Sequence, residues 1–130
     1  MSFKEWKIYS TVIEPVEYVG EVYDLKAVAV FFDAFGKGYR KRMHVDTKSD
    51  VTIIPLSFAS LLGLKLEVKA IVNSSQGYLS RVKVRIGEKE FVTAVFCESG
   101  GTSYILGVKT LQEFSKIEID FKNKLLRLHY

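Results

Sequence analysis

The chain has 130 residues, with 19 lysines and arginines against 15 aspartates and glutamates, and is 48% hydrophobic and 13% aromatic. That length gives one domain with a core of its own, and the apolar fraction excludes a disordered chain. A net charge of +4 is too small to diagnose a partner, and no apolar run has the length of a membrane helix, so a soluble protein with no membrane partner is expected.

Residues 1–24 place Trp6, Tyr9, Tyr18 and Tyr23 among β-branched residues and acids, with Pro15 and Gly20 as breakers. Two short strands are expected there, as an N-terminal extension that covers a sheet edge or pairs with another subunit. Leu25 to Phe32 is nearly continuous apolar sequence, as in a strand covered on both faces. Phe35-Gly36-Lys37-Gly38-Tyr39 predicts a turn, and Arg40 to Val45 the returning arm of a hairpin. The stripe Lys37, Arg40, Lys41, Arg42 with Tyr39 and His44 reads as a solvated hairpin face rather than a nucleic-acid surface. His44 shares a strand face with Asp46 and reads as a structural histidine.

His44 to Pro55 then reads as strand, tight acidic loop, strand. Leu56 to Leu62 has helical apolar spacing and stops at Gly63, a glycine cap. Leu64 to Val72 predicts a strand, Asn73 to Gly77 a polar loop, and Tyr78 to Ile86 the returning strand. In that strand Val82, Val84 and Ile86 alternate with Arg81, Lys83 and Arg85, a half-buried pattern with a cationic outer face. Gly87-Glu88-Lys89 turns the chain into Glu90 to Cys97. Cys97 is the single cysteine and lies in an apolar run, so no internal disulfide is possible. Together with the lack of a signal-peptide pattern this points to a reducing, cytoplasmic location. Lysine and glutamate supply most of the charge, a balance also seen in proteins from hot environments.

Glu98 to Ser103 is a flexible connector and Tyr104 to Leu106 a short buried strand. Gly107 then allows a tight exit into a helix over Val108 to Ser115, where Leu111 and Phe114 share a face. Ile117 to Phe121 and Lys124 to Leu128 form a last hairpin about Asn123. The whole is mostly β with one or two short helices.

Two blocks carry a resemblance. Asp46, Thr47 and Asp50-Val51-Thr52-Ile53-Ile54-Pro55, with Ser49 as a tolerated variant, resemble the active-site loop of the retroviral-type aspartic proteases, the retropepsins. Tyr104-Ile105-Leu106-Gly107, Leu111, Phe114, Ile119-Asp120-Phe121 and Leu125-Leu126-Arg127-Leu128 are similar to that family's apolar-apolar-glycine, helix and closing strand. The order and spacing of the blocks fit, and the resemblance covers roughly residues 25 to 130. Lys48 departs from it, because the signature has glycine there.

The resemblance implies a closed β-barrel of the acid-protease half type, and an aspartic endopeptidase that acts as a homodimer on peptide or protein substrates without a metal or other cofactor. Asp46 would be the catalytic residue contributed by each chain, since the chemistry needs two carboxylates sharing a proton and one chain offers one candidate loop. Thr47 would lock the two loops across the axis, Ser49 would hydrogen-bond the carboxylate, and Asp50 would be a structural or subsite residue. Ser74, Ser75, Gln76 and Gly77 would occupy the flap that folds over bound peptide. A Lys48 ammonium close to the dyad would favour both carboxylates charged, against the shared-proton state. The alternative is therefore a catalytically inactive homodimer of the same fold, used for peptide binding or assembly.

Overall fold

Alternation of buried and exposed side chains marks the long strands, and the computed structural model, which describes residues 2–130, is built mainly from them. The described residues form twelve strands and two short helices. In order these are β1 (Phe3–Lys7), β2 (Tyr9–Ile13), β3 (Gly20–Asp24), β4 (Lys26–Phe32), β5 (Gly38–Val45), β6 (Thr52–Pro55) and α1 (Leu56–Leu62). There follow β7 (Val68–Val72), β8 (Ser75–Ile86), β9 (Lys89–Glu98), β10 (Ile105–Leu106), α2 (Val108–Leu111), β11 (Lys116–Asp120) and β12 (Leu125–His129).

Six strands close on themselves. β4 pairs with β5, β5 with β10, β10 with β6, β6 with β9, β9 with β8, and β8 returns to β4 through Phe31↔Val84 and Val30↔Arg85. Closure leaves no free edge within the ring. β8 can serve three neighbours because it is 12 residues long: its first part pairs with β7, its last part with β4, and β9 runs along its other side. Val82, Val84 and Ile86 point inward and Arg81, Lys83 and Arg85 outward, as their alternation predicts.

The barrel is filled by Ala27, Ala29 and Phe31 of β4 with Met43, Ile54, Val95 and Leu106. Helix α1 closes one side by setting Phe58 edge-on to Phe31, with ring centroids 5.5 Å apart. Burying each large apolar side chain contributes about 1.5–3 kcal/mol, so this layer holds the strands whose ends carry the site. Gly63 ends α1 in the left-handed conformation at φ 69°, the expected cap.

A second, three-stranded sheet has the order β1-β12-β11, with Leu126 and Leu128 of the central strand fully buried. The N-terminal segment holds three strands where the sequence predicts two. Ile8 interrupts them: its side chain is buried in the core and its N–H donates to Lys124 O at 2.8 Å, so the chain changes direction between β1 and β2. β2 and β3 form a separate two-stranded ribbon.

Three further expectations are corrected. Residues 64–67 are not strand, because Leu64 N–H still closes α1 on Ala59 O and Glu67 makes a lone bond to Leu79 O. The helix expected over 108–115 stops at Leu111. Glu113 and Phe114 continue with i→i+3 bonds, a tighter turn that keeps Leu111 and Phe114 on one side as a helix would. The five-residue loop 73–77 is a two-residue turn: Asn73 and Ser74 both have positive φ (51° and 67°), the backbone of a type I′ hairpin, while Ser75, Gln76 and Gly77 already belong to β8. No helix among the described residues is long and apolar enough to cross a membrane.

Candidate active site

The acidic loop, residues 46–51, connects β5 to β6, two strands that are both hydrogen-bonded to β10 in the space between them. Its first residue is tied to that strand: Asp46 N–H donates to Leu106 O at 3.0 Å. The Asp46 side chain is half-buried, and its Oδ1 accepts the Lys48 N–H at 2.9 Å, the short-range turn an aspartate makes with its own backbone two residues on. Ser49 N–H donates to Asp46 O at 3.3 Å and completes the turn.

The far side of the loop is held by the start of α2. Val108 N–H donates to Ser49 O at 2.8 Å and Lys109 N–H to Asp50 O at 2.9 Å. These are backbone groups that a helix start leaves without intrahelical partners, so the loop and the helix satisfy each other. Gly107 makes the approach possible, because a Cβ there would fall on the Val51 carbonyl and crowd Ser49 O.

Beneath the loop lies a group of hydroxyls that the sequence reading missed. Thr52, Thr93 and Thr110 are buried, one each from β6, β9 and α2. Thr52 Oγ1 accepts the Gly107 N–H at 3.1 Å and lies 2.6 Å from Thr110 Oγ1, which in turn lies 2.9 Å from Thr93 Oγ1. The only signal available was a threonine at each of three otherwise apolar places, and threonine is common in strands for its branching alone.

Thr47, Lys48 and Asp50 are exposed and Ser49 is buried. Ser49 Oγ donates to Val51 O at 2.7 Å and so braces the loop, where the resemblance implies a hydrogen bond to the Asp46 carboxylate. None of the loop residues has a positive φ, and Lys48 therefore occupies its place without backbone strain. Among the described residues its ammonium makes no ion pair within 4.0 Å. His44 is engaged elsewhere: Nδ1 lies 3.1 Å from Asp24 Oδ1 on β3.

The β7–β8 hairpin flanks an open groove of about 540 Å³ lined by Lys69, Ile71, Gln76, Gly77, Tyr78 and Ser99, with Ala70. Ser74 is at the exposed hairpin tip, Ser75 and Gln76 follow on the strand, and Ser99 N–H donates to Gln76 O at 2.9 Å. Gly77 is explained by crowding: a Cβ would strike the Cys97 carbonyl and the Phe96 ring of β9. Asp46 does not line this groove. Cys97 is fully buried, and burial pushes its thiol up to about 11, which leaves it unsuited as a nucleophile.

No family model and no curated protein matches the chain by sequence. Solved structures do. A retropepsin-like aspartic protease from Rickettsia conorii superposes with a TM-score of 0.62 at 21% identity, covering 98% of this chain and 91% of that one. The retroviral protease-like domain of Ddi1 from Leishmania major gives 0.58 at 14% identity, over 83% of this chain and 94% of that one. The EIAV protease, in complex with the inhibitor HBY-793, gives 0.54 at 12% identity, over 69% and 86%. The chain has the retropepsin-like fold, as the two sequence blocks imply.

Proposed function

We propose that this chain of retropepsin-like fold is one half of an aspartic endopeptidase, completed when two copies bring their Asp46 loops together across a twofold axis. The observation that carries the reading is the double clamp on the loop. Leu106 holds Asp46 from one side and the Val108 and Lys109 amides hold Ser49 and Asp50 from the other, so a half-buried carboxylate is presented on a rigid support. The groove beside the β7–β8 hairpin supports it too, since half a substrate cleft in each chain need not contain the acid that completes it.

In the dimer the paired Asp46 carboxylates hold one proton between them. The charged member takes a proton from water as the water oxygen bonds to the scissile carbonyl carbon, and the protonated member donates to the carbonyl oxygen. Collapse of the tetrahedral species breaks the C–N bond, with a proton delivered to the leaving amine. Exposed Thr47 meets its counterpart across the axis, Asp50 contacts the extended substrate, and the hairpin from Ser74 to Gly77 covers it as a flap. No metal or cofactor takes part. The lone buried thiol fits a reducing, cytoplasmic setting.

The test is hydrolysis of a peptide library across roughly pH 3–7, the range in which a shared-proton carboxylate pair works. Sedimentation of the same protein gives its mass. Cleavage by a dimer, abolished in Asp46→Asn, is the expected result. A monomer, or cleavage that survives Asp46→Asn, overturns the reading. An inert dimer that gains activity as Lys48→Gly would leave the natural chain as a peptide-binding member of the fold.

A further inference from the structure

The β2–β3 ribbon is anchored only at its root. There Tyr23 stacks on Phe121 with centroids 5.8 Å apart, Arg42 lies 4.7 Å from the Tyr9 ring centroid, and Asp24 pairs with Lys26 at 3.2 Å. All five residues of β2 are exposed, and the connecting turn and β3 add Val16, Tyr18, Val19 and Val22, of which Tyr18 is 86% exposed. A two-stranded ribbon is marginal alone in water, and a cluster of exposed apolar side chains marks a surface that another surface covers. Residues 9–24 also hold Glu14, Glu17, Glu21 and Asp24 with no lysine or arginine, against the basic balance of the chain.

The complementary surface is on the same molecule. Two hollows of about 410 and 380 Å³ adjoin on the outer face of β4 and β5, sharing Trp6, Val28 and Arg40. Lys4, Lys7, Lys26, Arg42 and Arg85 complete a cationic rim, Val28 and Val30 form an apolar floor, and no carboxylate lines either hollow. Among these cations Lys26 alone has an ion-pair partner among the described residues. The ribbon of the same chain leaves the groove open, since β2 is exposed along its length.

We propose that the β2–β3 ribbon of one copy lies in the cationic groove of a second copy, and reciprocally. Opposite charge and shared apolar character match the two surfaces, and the match accounts for both the bare ribbon and the unpaired rim. Tyr9 borders the groove, so each ribbon starts at the rim of its own groove and extends about 17 Å over five residues away from it. This contact does not rest on the Asp46 reading, because the ribbon and the acidic loop are different surfaces.

The experiment mixes ¹⁵N-labelled and unlabelled full chains, couples them with a carbodiimide and maps the cross-links by mass spectrometry. Links between Glu14, Glu17 or Glu21 of one isotope and Lys4, Lys7 or Lys26 of the other are expected. Reversing the exposed charges as Glu17→Lys with Glu21→Lys, or as Arg40→Glu with Arg85→Glu, is expected to weaken self-association about tenfold. Combining all four changes restores it. Absent mixed-isotope links, or association constants unmoved by either reversal, overturn the contact. So does a groove that binds a single-stranded oligonucleotide in a salt-dependent way while no ribbon-to-groove link forms between copies, which would assign it to nucleic acid. Peptidase activity sensitive to Asp46→Asn is unaffected by these outcomes, so the two readings fail separately.

Discussion

The hydroxyls of Thr52 and Thr110, 58 residues apart in the chain, lie 2.6 Å from each other beneath the acidic loop. Through the Gly107 N–H on Thr52 Oγ1 and the Thr93 hydroxyl on Thr110, they join β6, β9 and α2 in a single buried polar group. Such a group is stabilising only while every member is satisfied.

Replacing Thr110 by valine keeps the shape, removes the shared hydroxyl and strips Thr93 of its short partner. The expected cost is about 1–3 kcal/mol, against under about 1 kcal/mol for Thr110→Ser, which keeps the oxygen. Urea midpoints of the two variants measure this. Equal destabilisation by both would show that packing of the methyl, and not the hydroxyl group, matters at this place.

At Gly107 a Cβ would meet backbone, the Val51 carbonyl, which cannot move without breaking the loop; at Gly101 it would meet the side chain of Glu98, whose carboxylate can swing away although its Cβ is also close. Gly107→Ala should therefore destabilise by about 3 kcal/mol or more, and Gly101→Ala by clearly less. Thermal unfolding of the pair compares them directly, and a benign Gly107→Ala would mean that the loop clamp is not as tight as described.

Lys48 is exposed and its φ is not positive, so glycine there relieves no strain. A stability loss of about 0.5–1 kcal/mol from added unfolded-state freedom is expected for Lys48→Gly. If the proposed dimer places the two ammonium groups near the dyad, kcat/KM rises at the same time, because the shared proton is no longer opposed. An unchanged pH–rate profile in Lys48→Gly would put the side chain away from the chemistry.

The closing sheet makes a pH prediction. The hydrogen bond from His129 Nε2, at 2.8 Å, is the largest influence holding the Glu118 carboxyl below its ordinary value near 4.5, with Arg127 adding to it. A lowered folded value means that the carboxylate contributes stability above pH 4.5, and that this contribution is lost as pH falls through the lower folded value. The stability difference between the natural chain and Glu118→Gln should be present at pH 7 and be lost as the pH falls below 4.5 through the lower folded value. A difference independent of pH, followed by urea unfolding, would contradict this. Glu118 is solvent-accessible, so the effect is also expected to shrink in salt.

Local chemistry made much of this molecule legible beforehand. Alternation from Arg81 to Ile86, the continuous apolar run of β4 and the glycine cap at Gly63 all report single-chain geometry within a few residues, where side-chain period and backbone φ act directly. The acidic loop at Asp46 was legible for the same reason. Where a strand or helix needed a distant partner, sequence fell short. Residues 64–67 lack a second strand, α2 gives way to tighter turns after one turn of helix, and 73–77 tightened because β8 pairs on both sides almost to its first residue.

The sequence by itself determined which residues are apolar, which turns can form and that one acidic loop follows a strand, because these depend on neighbours along the chain. Tertiary structure alone decided that Thr52, Thr93 and Thr110 share their hydroxyls, that Gly107 must be bare to pass Val51, and that Ser49 turns to a carbonyl instead of a carboxylate. Barrel closure through β4 and β8 packs together segments distant in the chain, and such contacts leave no period in the sequence to read.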